Sequence, residues 1–508
     1  MNSGPQPGGA HALGVASLSL VASALGFVTQ LVVAAVFGAG QVLDTYFVVA
    51  SVPTLLATIL AGVFSYALVP ALVAERGTRG EACPVLAPWV VSRVTQASAA
   101  LVVLGVAGTF LLQADGSRDD VLRAVALPVW LGAAATVLAG ATGAVAVAEG
   151  QVLQPQLAVL ATYLGTLGGA IAGTRAGIAA IAWGTCLGTL VGAGATAWTT
   201  RAAWRHRVTS CGPAVALLPG ASVALVMTLA YASFALLDAW LLPVTGEGAV
   251  ALAGFAQRLL VAGGTILAAG PAVVLQPRLA AARAAGHHGL AADELARAVR
   301  LVVVVTVPVL AIGAVVGQDA VALLFQRGKF DARDTARLAA ALPWYLVGLV
   351  PMLVGVVLGK AVFAFGDLGS AILLGTVTPT VYALVLTTLR AELGLAAAGV
   401  AYAVAWGTSV ALVLRRTMRG AQVASASALA VVSGAGLAAG AVSALTATML
   451  RTVRDLPAPA THLLVLVVGG VAGLATYATI VARHPVTTDA RALARRLMPR
   501  TNSGQHAP

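Results

Sequence analysis

TILAGVFSYALVPALVA at residues 58–74 and TILAAGPAVVLQPRLAA at residues 265–281 align without a gap at an offset of 207 and agree at eight of seventeen positions. Alanine-rich sequence inflates such agreement, yet Pro70 and Pro277 also coincide, each towards the same end of a long apolar stretch. Breaks at charged or Gly/Pro-rich positions divide the whole chain into fourteen such stretches, near 13–37, 44–73, 84–113, 121–148, 153–174, 177–200, 214–242, 248–276, 300–325, 337–364, 369–389, 394–414, 422–449 and 461–482. About 20 apolar residues cross a bilayer as a helix, so each stretch predicts one crossing. The offset then equals six crossings with their loops. An even number returns the chain in its starting orientation, which predicts two halves related by an axis along the membrane normal. The expected architecture is an all-α polytopic membrane protein with two six-helix lobes, residues 1–209 and 210–420. Two further helices within 421–484 and a cytoplasmic tail, 485–508, complete it.

Composition excludes the other classes. The 508 residues are 59% hydrophobic and 9% charged, with a mean hydropathy of +0.94, whereas soluble domains carry about a quarter charged residues. A transmembrane barrel would need segments of alternating polarity, and none occur. Gly numbers 56 while aromatics make up only 5%, which suits close helix packing through small residues. The net charge of +12 reads as a report on orientation, not as a nucleic-acid surface. With the N-terminus inside, the inner loops and tail hold 17 basic residues, Arg201, Arg205 and Arg207 among them, against 10 in the outer loops. Both termini are therefore expected on the cytoplasmic side. Cys83, Cys186 and Cys211 have neither disulfide nor metal spacing and read as small apolar residues. The run from Leu13 to Phe37 lacks a preceding basic segment and exceeds a cleavable signal core, which predicts a retained first helix.

Charges at span depth are costly and mark a cavity, a partner or an interface. Arg258 lies about 15 Å from the outer boundary of the eighth crossing, at 1.5 Å per residue, too deep to reach the headgroups. It is a candidate contact for phosphate oxygens, which a guanidinium fork binds well; a structural pairing with Asp238 is the alternative. Asp238, about one turn from the outer end of the seventh crossing, could equally be a cation ligand or an interfacial residue. Asp44 opens the second crossing, where an N-cap role and a substrate role both fit. Arg93 and Lys360 lie nearer the inner face and can extend to the headgroups. No catalytic carboxylate pair, phosphate loop or HExxH occurs, so neither an enzyme nor a cofactor is expected, and His287–His288 reads as a solvated turn. DARALARRLMPR, residues 489–500, could form a basic amphipathic helix on the inner leaflet or remain an irregular tail.

Three segments carry a family resemblance. LGFVTQLVVAAVFGAGQVLDTYF at 25–47, with Val52–Pro53 and GVFSYALVPALVAE at 62–75, is the first. GEGAVALAGFAQRL at 246–259 is the second, and ALLFQRGKFDARDT at 322–335 with VVLGKAVFAFGD at 356–367 is the third. Together they resemble the MurJ/MviN lipid II flippases of the multidrug/oligosaccharidyl-lipid/polysaccharide exporter superfamily. The resemblance implies fourteen helices, two six-helix lobes around a central cavity, and a lipid groove at helices 13 and 14. It also implies an undecaprenyl-linked lipid substrate for cell-wall synthesis, surrounding membrane lipids, a possible coupling ion, and a multi-pass place in the bacterial inner membrane. Asp44 matches the family's functional Asp after GAG, and Arg258 its cavity Arg. The chain departs from the family pattern at Ser23, Thr29, Gln30 and Ala57, where cationic residues or an Arg-Asp pair are usual. Most of the N-lobe cationic set is thus absent. Lipid II is the first substrate expected; another lipid-linked glycan or amphiphile, or a cation-coupled drug antiport with Asp44 and Asp238 as coupling carboxylates, are the alternatives.

Overall fold

The computed structural model describes residues 9–73, 86–111, 117–201, 218–264, 279, 288–417, 426–452 and 457–482. These form helices joined by short turns, with no strand among the described residues. In chain order they are α1 Gly9–Phe37, α2 Gln41–Val63, α3 Leu86–Leu111, α4 Ser117–Ala148, α5 Gln154–Ala176, α6 Ala179–Thr199, α7 Leu218–Leu241 and α8 Ala249–Gly264. Then follow α9 His288–Phe325, α10 Ala332–Phe365, α11 Leu368–Leu393, α12 Ala396–Thr417, α13 Ala426–Arg451 and α14 Ala458–Ala482. Thirteen are long and apolar enough to cross a membrane, and α8 is described as far as Gly264. In a bilayer each backbone polar group needs an internal partner, which helices provide. The fourteen helices answer to the fourteen apolar stretches. Pro277, His287, Cys83, Cys211 and the basic segment 489–500 lie outside the described residues.

One boundary differs clearly from expectation. α9 begins at His288, well before residue 300, because the polar segment containing Asp293, Glu294 and Arg297 continues the helix beyond the apolar run. Glu294 and Arg297 pair along it at 3.3 Å. Apolar length measures the membrane, whereas helicity does not stop at its surface.

The packing repeats every six helices. α3 packs on α4 as α9 packs on α10, α4 on α6 as α10 on α12, α5 on α6 as α11 on α12, and α1 on α5 as α7 on α11. α2 meets α7, while α13 and α14 pack on each other and on α9. The tightest pair is α5 with α6. Methyl groups added at Gly165 or Gly184 would collide with the main chain of the opposite helix, so the two backbones approach as only small residues allow. Thr162 and Thr189 (3.2 Å) and Thr166 and Thr185 (2.9 Å) bond across the same seam.

Helices α13 and α14 are fastened to α9 by a polar knot. The buried Asp319 carboxylate accepts from Arg451 at the end of α13 and meets His462 Nδ1 of α14 at 2.8 Å. At the opposite end, Asp367 caps α11, accepting from Ser370 N at 3.2 Å and Ser370 Oγ at 2.6 Å, with Arg416 alongside. Partial burial pushes the Asp367 carboxyl up, but those hydrogen bonds and the Arg416 charge outweigh it and hold the group below the usual carboxylate range.

Candidate functional site

Three turns converge at one end of the bundle: Gly38–Gly40 between α1 and α2, Leu242–Gly248 between α7 and α8, and Gln326–Asp331 between α9 and α10. The first turn of any helix leaves N–H groups without intrahelical partners. Here each half supplies the acceptors for the other. Asp44, in the first turn of α2, accepts from Gly248 N at 2.7 Å and from Ala251 N at 2.8 Å, capping α8. Glu247 Oε1 reciprocates by accepting from Gln41 N at 3.0 Å. Asp44 and Ala251 are 207 positions apart, the offset of the sequence repeat. Asp44 thus does not cap its own helix: Gly40, which has no side chain to accept a bond, holds that position, and the acceptor comes from Glu247 instead.

Further bonds tighten this clasp. Lys329 N donates to Ala35 O at 2.7 Å, Ala39 N to Asp334 Oδ2 at 3.2 Å, and Arg337 Nη1 to Glu247 O at 2.8 Å. Gly248 (φ +79°) and Gly328 (φ +63°) take left-handed conformations, and a Cβ on either would collide with the carbonyl oxygen of Ala39 or Ala35 opposite. Beneath lies an aromatic plug: Phe325 meets Phe27 at 6.4 Å, Phe255 at 5.5 Å and Phe330 at 5.6 Å between ring centroids. Polar bonds at the rim and packed rings below close this end.

Asp238 sits elsewhere, in the interior of the second half. Its carboxylate is buried and accepts from Gln257 Nε2 of α8 at 2.5 Å and from Tyr382 Oη of α11. Tyr382 in turn meets Phe234 edge-on at 4.8 Å, and Tyr402 and Trp406 pack on Phe234. The expected alternative, a pair with Arg258, is not what forms. Gln257 and Arg258 are adjacent, and a turn of about 100° per residue sends one towards Asp238 and the other away.

Arg258 stands on an open stripe of α8 with Gly254, beside which a Cβ would meet nothing, and Val261. The guanidinium is exposed and has no hydrogen-bond or ion-pair partner among the described residues. Tyr46 of α2 lies within electrostatic reach of it, so this side of α8 faces the first half. Arg93, by contrast, is exposed on α3 and donates to Gln96 Oε1 at 3.3 Å, and Lys360 is half-buried near the far end of α10.

The positions where the family resemblance leads one to expect cations are packed. Thr29 is fully buried with its hydroxyl on Leu25 O at 2.8 Å, and Ser23 bonds Ser19 O at 2.9 Å. Gln30 is buried, and Ala57 lies in an apolar cluster with Phe64 and Val137. Sequence reasoning singled out Asp44, Asp238 and Arg258 but missed Glu247, Gln257, Tyr382 and the Asp319 knot. The glycines flanking Glu247 were the available signal, because a GEG turn ahead of an apolar helix marks a backbone that must come close to something.

A family description, Lipid II flippase MurJ, matches residues 148–467. Among solved structures, a lipid II flippase MurJ in an inward closed conformation superposes with a TM-score of 0.77 at 15% identity, covering 95% of this chain and 99% of that one. An inward-facing multidrug resistance MATE transporter gives 0.66 at 16% identity over 78% and 95% of the two chains. A multidrug/oligosaccharidyl-lipid/polysaccharide superfamily transporter from Pyrococcus furiosus gives 0.58 at 13% over 80% and 95%. These likenesses establish the fold, and the match over well more than half the chain establishes the kinship. With fourteen helices among its described residues, a packing that recurs every six and a clasp joining the repeats, the chain belongs to the MurJ lipid II flippase family.

Proposed function

We propose that this multi-pass inner-membrane protein moves an undecaprenyl-linked, pyrophosphate-bearing saccharide, lipid II first among them, from the inner to the outer leaflet. It does so by alternating access of two lobes, residues 1–209 and 210–420, with both termini cytoplasmic and no covalent chemistry. The observation that carries this reading is Arg258, which has no ion-pair partner among the described residues, on an α8 stripe that faces the opposite half, beneath a clasp built from both halves. A phosphate-bearing headgroup supplies the anion that Arg258 lacks. Breaking the clasp opens the path past it. Asp44 then acts as a gate residue, not a headgroup contact, and Asp238 as a carboxylate available for ion coupling within its ring of aromatic and amide groups.

A second reading is favoured by the packed positions Thr29 and Ala57: a headgroup recognised by fewer charges, on another lipid-linked glycan or amphiphile. Complementation separates the two. Expression of this chain in cells depleted of their lipid II flippase should restore growth if lipid II is carried. Failure of correctly inserted protein to do so would favour the second reading.

A further inference from the structure

A cavity of about 790 Å³ opens beside the clasp, walled by α2, the outer half of α3, the start of α4 and the end of α7. Its volume is that of a pocket for a drug-sized ligand. Asp44 and Glu247 are the charged residues of its lining, and most of the rest is apolar, Val48 of α2 and Leu104 of α3 included. Two indole rings, Trp130 and Trp240, complete it. No lysine or arginine is among the described residues that line it. Arg337 approaches Glu247 from α10 but bonds its main-chain oxygen.

The chemistry of this lining selects a ligand. Asp44 spends its acceptor strength on two amides of α8, so Glu247, exposed and with Oε1 on a single amide, is the stronger attraction for a charge inside the cavity. Trp130 is buried, with its N–H committed to Thr109 Oγ1 at 2.8 Å and its ring packed against Gly105, so the exposed Trp240 is the indole that a ligand can reach. Indole faces attract cations, and apolar walls exclude small hydrated ions. We infer that this cavity is a binding site for a lipophilic cation, an apolar body bearing one delocalised or quaternary positive charge. Such a ligand is opposite in sign to the pyrophosphate substrate proposed above and would occupy a different place.

Gly108 gives a clean test, since it lines the cavity and a side chain there meets open space. The probes are tetraphenylphosphonium and tetraphenylborate, equal in shape and opposite in charge, measured by equilibrium dialysis against the full chain in nanodiscs of zwitterionic phospholipid, with empty discs subtracted. Saturable binding of the phosphonium alone is expected. Gly108→Leu and, independently, Leu104→Trp should weaken it at least tenfold, and Glu247→Gln at least fivefold while keeping an acceptor for Gln41 N. Size-exclusion profiles and thermal unfolding establish that each variant is folded. Equal saturable binding of both ions, or binding unaffected by Glu247→Gln, would show an apolar groove occupied by lipid chains and overturn the cationic assignment. Phosphonium binding unchanged in both cavity-filling variants would place it elsewhere and overturn the site.

Discussion

Arg258 is the residue on which the proposed anion recognition rests, and its neighbour shows why position along a helix matters more than proximity in sequence. Gln257 is absorbed by Asp238, whereas Arg258 faces the opposite half without a partner among the described residues. A hydrogen bond to a charged group contributes about 1.5–3 kcal/mol, so Arg258→Ala should weaken binding of a polyprenyl pyrophosphate saccharide roughly ten- to a hundredfold. Arg258→Lys should recover part of the loss if charge alone suffices and little if the planar fork is required. Arg93→Ala, whose guanidinium is already engaged by Gln96, serves as the comparison and should change binding little. Unchanged binding in Arg258→Ala would remove the residue from the site.

Asp44 makes a different prediction at the same scale. Removing a helix cap costs about 0.5–2 kcal/mol, here charged against contact between the halves. Asp44→Ala should therefore raise the population open at this end by roughly two- to thirtyfold. Spin labels at the exposed positions Val42 and Val244 would register it as a longer distance component. A distribution identical to that of the unmutated protein would mean that the remaining bonds of the clasp suffice without Asp44.

Among elements, the pair α5 and α6 shows what glycine does in this fold. Gly165 and Gly184 meet main chain to main chain, so Gly184→Ala forces the helices apart. Overpacking of this kind costs about 1–3 kcal/mol. Gly194, further along α6, has nothing near its absent side chain, and Gly194→Ala is expected to leave thermal unfolding in detergent unchanged while Gly184→Ala lowers it. Equal melting of the two variants would refute close approach as the reason for glycine at 184. The elements themselves were legible in the sequence, since a bilayer imposes a minimum apolar length. The early start of α9 was not, because Asp293, Glu294 and Arg297 lie on a helix outside the apolar layer. Nor was the cross-capping of α2 and α8. Hydropathy reports which solvent a residue meets; it carries no information about a carboxylate and an amide more than two hundred positions apart. The residue types were visible, Asp44 after one glycine turn and Glu247 within another, but not that each serves the helix of the other half.

At the scale of the whole molecule, the recurrence of packing six helices on and the excess of basic residues on one side lead to a prediction about orientation. A single cysteine at position 244, exposed beside the clasp, should react with a membrane-impermeant thiol reagent added outside intact cells, in a background lacking Cys83, Cys186 and Cys211. A cysteine at position 503 should react only after the membrane is permeabilised. The reverse pattern would invert the protein and with it the direction of transport.

The clasp also bears on water. Its partners are carboxylates and main-chain amides at the rim of the bundle, groups that hydrate readily once parted. Exchanging a protein hydrogen bond for one to water changes free energy by only about 0.5–1.5 kcal/mol, whereas leaving a polar group bare in an apolar medium costs more. The same bonds at mid-bilayer depth would be hard to separate, because nothing there could replace them. Placed at the aqueous rim above the ring of Phe27, Phe255, Phe325 and Phe330, they would, in the proposed alternating access, part as solvent enters and re-form as it leaves. The proposed opening at this end would therefore be a wetting event, in which the phenyl rings oppose water and the freed amides draw it in.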